Sequence, residues 1–173
     1  MGTISAASIV ALSTYRFLTI ETTTTTTSTS TTSTSTTSTT STTTTTTSLP
    51  SQCYSYMSIN DGSRLVSQGS GTLSDTAWLT STTKWVRFIG ASGTELATYT
   101  YGVNTCGTTY TGYYTSSLPS PSETVAGTVC FYVSATYPCY YLYAVTILVT
   151  NCGSYYVYGL TSPPLSSARY CTM

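Results

Sequence analysis

Apolar and polar positions alternate in short runs only in the later part of this chain, from Leu49 onward. Lys84-Trp-Val-Arg-Phe-Ile89 alternates, Gly90-Ala-Ser-Gly93 has turn composition, and Thr94–Tyr101 alternates again, which predicts a hairpin. Thr128–Val133 is a β-branched and aromatic run, Tyr141–Thr150 carries the strongest strand signal, and Tyr155–Leu160 follows it after a cysteine turn. No stretch sustains a helical period. The apolar run Leu142–Val149 is far shorter than the roughly 20 residues that a membrane-crossing helix needs, so no transmembrane segment is expected. These patterns predict an all-β single domain over 49–173, built as two packed sheets in a sandwich-like arrangement.

The residues before it cannot join that core. Every position from Thr22 to Ser48 is Ser or Thr, and a segment without apolar side chains cannot offset the entropy of ordering. A tract of this composition on a secreted chain reads as a disordered, mucin-like stalk, with O-glycosylation acceptors beginning at Thr22, Thr23, Thr24, Thr25, Thr26 and Thr27. The other reading is an unmodified linker. Fully extended, the tract would span at most roughly 90 Å. Residues 1–21 form a weak, degenerate signal-like segment: Ile4–Leu12 is mildly apolar, and no Lys or Arg precedes it.

Charge narrows the choice of partners. Five basic residues face five acidic ones in 173, so no basic patch exists to collect phosphates or anionic lipids. Nucleic acid is therefore not an expected partner. Histidine is absent, which removes Ser-His and Cys-His catalysis and imidazole metal ligands. The six cysteines include no Cys-x-x-Cys pair and read as a disulfide framework rather than a metal site, which places the chain in an oxidising, extracellular setting. Six cysteines allow 15 pairings, and spacing does not choose among them.

Candidate chemistry is sparse. Asp61, Asp75, Glu95 and Glu123 lie in no recognisable catalytic motif and read as solvated surface carboxylates, although a glycosidase pair is assembled in space rather than in sequence. No catalytic residue, metal or cofactor is expected. Trp85 and Arg87 lie two apart and share one face of a strand, either as a sugar- or carboxylate-binding face or as a structural cation–π stack. The 17 tyrosines offer either packing or a sugar-stacking platform. Tyr110, Tyr113 and Tyr114, read as loop residues, and Tyr140, Tyr141 and Tyr143 are the candidates for the platform.

Several short motifs then occur in one order. Cys53-x-x-Tyr56-x-x-Ile59-Asn60-x-x-x-Arg64 comes first, followed by Trp85-Val-Arg-Phe-Ile-Gly90 and Cys106-Gly-Thr. Tyr113-Tyr114 with Pro119-Ser120, Gly127 with Cys130, Cys152-Gly-Ser-Tyr-Tyr-Val-Tyr158, Leu160-Thr-Ser-Pro-Pro164 and Tyr170-Cys171 complete the series. Together they resemble the eight-cysteine extracellular domain of uromodulin-like glycoproteins, the family that includes the zymogen-granule membrane glycoprotein. The mammalian members carry extra cysteines where this chain has Thr100, Pro138, Ser166 and a residue near Trp78. The resemblance implies that those are bonded to each other two by two, so that cysteines are missing here as whole pairs. The resemblance implies the pairing Cys53–Cys152, Cys106–Cys171 and Cys130–Cys139. In the chain-entropy picture the two long loops would contribute about 4–5 kcal/mol each and the short one about 2–3 kcal/mol.

The resemblance further implies a non-enzymatic secreted or surface module for adhesion, matrix contact or glycan display, with extracellular glycans or glycoproteins as partners. The alternative is a carbohydrate-binding, lectin-like domain using Trp85, Arg87 and the tyrosines. In the mammalian relatives an N-linked glycan on this domain is bound by bacterial fimbrial adhesins. Here Gly159-Leu-Thr161 stands where the sequon would be, and no Asn-x-Ser/Thr occurs anywhere in the chain.

Overall fold

A computed structural model describes residues 48–173; the signal-like segment and the Thr/Ser tract up to Thr47, with its O-glycosylation acceptors, lie outside the described residues. The described residues contain seven strands: β1 (Met57–Ile59), β2 (Lys84–Phe88), β3 (Tyr110–Tyr114), β4 (Thr124–Tyr132), β5 (Ala144–Asn151), β6 (Tyr156–Leu160) and β7 (Ala168–Tyr170). Single 3-10 turns are the only helical elements among them, and no helix there is long and apolar enough to cross a membrane. The all-β domain expected from the alternating runs is the fold. Its hydrogen bonds run unbroken through one mixed sheet in the order β1-β2-β6-β5-β4-β3-β7, parallel at the two outer pairs and antiparallel within.

The sandwich-like layering expected of two sheets arises because this single sheet curls. β2 and β7 are five steps apart, roughly 24 Å in a flat sheet. Yet the guanidinium of Arg64 lies 5.9 Å from the Phe88 ring on β2 and donates through Nη1 to the Tyr170 carbonyl on β7 at 3.1 Å. The inward residues of β2 to β7 consequently meet in one core, including Val86, Phe88, Tyr114, Phe131, Ile147 and Tyr158. Close approaches are accommodated by glycine: a Cβ at Gly127 would overlap the ring and hydroxyl of Tyr114, which occupy the space a side chain there would need.

The hairpin expected from Lys84–Ile89 and Thr94–Tyr101 does not form. Both edges of β2 are already paired, to β1 on one side and β6 on the other. After β2 the chain turns through Gly90 and Gly93, both in the left-handed region at φ +57° and +70°, with Asn60 Oδ1 accepting from the Ala91 amide. Thr94–Ala97 then runs alongside the end of the chain instead: Thr94 N donates to Met173 O, Met173 N to Glu95 O, and Ala97 N to Cys171 O. The runs at Thr128–Val133, Tyr141–Thr150 and Tyr155–Leu160 do contain strands, as β4, β5 and β6. Their ends differ, since Tyr141–Tyr143 is a 3-10 turn before β5.

Disulfides join Cys53 to Cys152, Cys106 to Cys171 and Cys130 to Cys139, and no described cysteine is free. The carboxylates are not all solvated. Asp75 is buried, receives both Nη atoms of Arg64, and also accepts from Trp78 Nε1 at 2.9 Å and the Tyr170 amide at 2.9 Å. Asp61 pairs with the buried Arg169. Burial acts to raise the Asp61 carboxyl, but the Ser63 hydrogen bonds and the Arg169 charge outweigh it and hold the group below its usual range.

Removing one member of a buried ion pair leaves the other charge uncompensated, so Asp75→Asn is expected to destabilise the oxidised domain by about 3–5 kcal/mol, read as a lower urea midpoint. Tyr158 and Tyr170 supply a pH dependence. Burial pushes both phenols up from their ordinary value, so folding favours the neutral form. Their contribution is fully present below the unfolded phenol value of about 10 and falls as pH rises through the raised folded values. The urea midpoint should therefore drop as pH rises above about 10, and less steeply in Tyr158→Phe.

Candidate ligand-binding site

The strand period places Val86 and Phe88 of β2 in the core and Trp85 and Arg87 on the opposite, outer face. Trp85 packs with Val157 and the Cys53–Cys152 bridge and lies over Gly159, its register partner on β6. A Cβ at Gly159 would come within 2.9 Å of Thr83 Cγ2 and 3.3 Å of the Trp85 ring, so the position of the missing sequon is filled by Trp85 and Thr83. Arg87 is clamped between aromatic rings. Its guanidinium stacks 3.7 Å above Tyr155 and donates through Nη1 to the Tyr56 hydroxyl at 3.0 Å, while the Tyr56 and Tyr155 rings meet edge to face at 5.8 Å. That hydrogen bond from Arg87 draws the Tyr56 phenol below its ordinary value, whereas burial, joined by Tyr56 itself, raises Tyr155.

Two hollows flank this stack. One, of about 360 Å³, is shallow and bordered by Tyr56, Met57, Lys84 and Trp85. The other, of about 300 Å³, lies between the turn after β2 and the β5–β6 turn, with Arg87, Thr94, Glu95, Ser154, Tyr155 and Tyr156 on its wall. The β5–β6 turn is shaped by Gly153 at φ +88°, whose amide donates to Asn151 Oδ1 at 2.8 Å. The sequence singled out Arg87 but not Glu95 or Ser154 as a binding residue, because only the fold of Thr94–Ala97 toward the chain end brings Glu95 to this wall.

The tyrosines divide differently from the sequence reading. Tyr110, Tyr113 and Tyr114 are strand residues of β3, not loop residues. Tyr114 is buried with its hydroxyl on Ser117 O, which removes it from any ligand-facing surface, and Tyr110 packs on the main core. Tyr113 is half-buried on the outer face and donates to Pro138 O at 3.0 Å. The outward aromatic surface lies in the β4–β5 connection instead, where Tyr140 gathers Tyr137, Tyr141 and Tyr143 at ring separations of 5.2, 4.6 and 5.7 Å beside the Cys130–Cys139 bridge. This cluster and the Arg87 stack belong to different parts of the chain, and among the described residues no aromatic pair links the two. Nor do any three described His, Cys, Asp or Glu side chains gather in a way that could hold a metal ion.

The family model for the uromodulin-like domain matches residues 86–172, half of the chain. Uromodulin of Rattus norvegicus is 37% identical over 90 residues, which is 51% of this chain and 14% of that protein. The chain thus spans a small part of that relative's length.

Replacing Arg87 with Met removes the donor to Tyr56 while keeping an unbranched side chain on β2. The Tyr56 phenol should then titrate at a higher pH, closer to the ordinary value, as followed by NMR of the tyrosine ring signals. An unshifted titration would mean that Arg87 does not hold this phenol in solution.

Proposed function

Because this chain belongs to the uromodulin-like domain family, we propose that it serves as an extracellular, non-enzymatic glycoprotein module that adheres to matrix or cell-surface glycoproteins. The observation that carries this reading is a set of exposed tyrosines on a disulfide-held frame: Tyr54 and Tyr141 are each 73% exposed and Tyr101 is 68% exposed. A tyrosine presents a large flat apolar ring with a polar tip and loses little side-chain freedom on binding, which suits recognition surfaces. The Thr/Ser tract would act as a glycan-bearing spacer that holds the domain away from its attachment. The carboxylates support the absence of turnover, since Asp75 and Asp61 are occupied by arginines and Glu123 by the Ser120 amide. Glu95 is the one carboxylate on the wall of the hollow beside Arg87, and glycoside hydrolysis in its usual form needs two facing the same bond.

A second reading, a carbohydrate-binding domain, is favoured by one specific observation. The hollow beside Arg87 combines a fixed guanidinium, a carboxylate and aromatic rings in one concavity, the makeup of a small polar ligand site.

Full-length protein expressed through a secretory pathway should be recovered from the medium, run heavier than its 18.4 kDa, and lose the excess on O-deglycosylation. That material should bind immobilised extracellular-matrix and cell-surface glycoproteins, and binding should be lost when its disulfides are reduced. Recovery with free thiols, or oxidised protein that binds none of these surfaces, would overturn the reading.

A further inference from the structure

The hollow between the β2 turn and the β5–β6 turn carries several polar groups that make no side-chain hydrogen bond within the protein. Among the described residues, the Thr94 hydroxyl, the Glu95 carboxylate and the Ser154 hydroxyl make no side-chain hydrogen bond, although each lies on its wall. Arg87 engages Nη1 with Tyr56 and leaves its remaining N–H donors without a described protein acceptor. The hollow therefore offers donors and acceptors in a fixed arrangement, and its guanidinium cannot swing away because it is stacked on Tyr155 at 3.7 Å.

We infer that this hollow binds a single neutral hexopyranose, the terminal residue of an extracellular glycan. The inference rests on the carbohydrate-binding reading and names its site and ligand class. A hexose presents neighbouring hydroxyls that both donate and accept, which match a guanidinium and a carboxylate on one wall. Its apolar C–H face matches a tyrosine ring, supplied here by Tyr156 on the wall and by the part of Tyr155 that Arg87 does not cover. At about 300 Å³ the hollow stands at the lower end of small-molecule sites, which suits one sugar ring rather than a chain. One cation and one carboxylate leave no net charge to attract an acidic sugar. Gly153, at the mouth, has open space where a Cβ would project, so the bound sugar can continue outward into the rest of its glycan.

The test is titration of isotope-labelled full-length protein with methyl mannopyranoside, methyl galactopyranoside and methyl glucopyranoside. Saturable amide shifts are expected for at least one of them at Glu95, Gly153 and Ser154, with none in Tyr137–Tyr143. Two surface variants, Ser154→Trp to fill the hollow and Glu95→Ala to remove the acceptor, should each weaken binding at least tenfold. Tyr141→Ala should leave it unchanged. The variants' amide spectra report separately that the fold is kept. Shifts confined to the Tyr140 cluster, binding of free glycine but of no hexoside, or no saturable shift with any hexoside would each overturn the inference. Adhesion to glycoproteins together with no saturable shift from any hexoside would overturn the inference and leave the adhesion reading standing. Hexoside binding without adhesion would do the reverse.

Discussion

The buried pair Arg64–Asp75 is the contact on which the closed form of the sheet depends. Asp75 accepts the Tyr170 amide and Arg64 donates to the Tyr170 carbonyl, so the pair grips both polar groups of one residue on β7. On its other side the Arg64 guanidinium lies over Trp78 and Phe88, which connects β7 to the far end of the same sheet. A buried ion pair adds little net stability compared with well-packed apolar groups, because both charges lose water. Its value here is geometric, since an Arg–carboxylate fork tolerates few relative orientations and so fixes how far the sheet curls. Arg64 Nε is buried without a protein partner, a cost that sets a further limit on what the pair adds to stability. Arg169 and Asp61 form a second grip one residue along β7, with Arg169 also donating to Ser63 Oγ and Cys106 O.

The three bridges act at places the charges do not reach. Cys53–Cys152 holds the segment before β1 against the outer face, where it delivers Tyr56 to Arg87. Cys106–Cys171 lies in a small buried cluster with Val66 and Ala97 and fixes the end of the chain beyond β7. Cys130–Cys139 sits at the base of the connection that carries the tyrosine cluster. Stack, hollow and tyrosine surface are thus each tied to a covalent anchor, and the frame around the hollow is fixed before any ligand arrives.

The strands legible in the sequence are those with a clean alternation or a continuous β-branched and aromatic run. β2 alternates in burial, while β4, β5 and β6 sit in the middle of the sheet and carry runs buried on both faces, such as residues 157–160. The segment Thr94–Tyr101 alternates as well, but pairs mainly with residues 171–173, and no local pattern encodes a partner that far away. β1 and β7, three residues each, are too short to show any period. The motif Tyr56, Asn60, Arg64, Trp85, Arg87 and Gly90 was visible as a resemblance, yet its physical roles were not: Asn60 secures the turn at Gly90, Arg64 enters the core, and Tyr56 and Arg87 bond to each other. The burial of Asp75 was hidden for the same reason, because a carboxylate that pairs within the fold looks in sequence like one facing water.

The position of residues 170–173 also sets an order of events during synthesis. Tyr170 fills the core between Phe131 and the Arg64–Asp75 pair, Thr172 bridges to both Leu65 and Leu96, and Met173 bonds to Thr94 and Glu95. Contacts this distant along the chain form slowly, and here they cannot begin until residues 170–173 have emerged from the ribosome. Until then Phe88, Leu96 and Phe131 lack neighbours that cover them in the finished domain. A nascent chain of this kind therefore leaves the ribosome with its core open, and it matures only after its synthesis has passed the last strand.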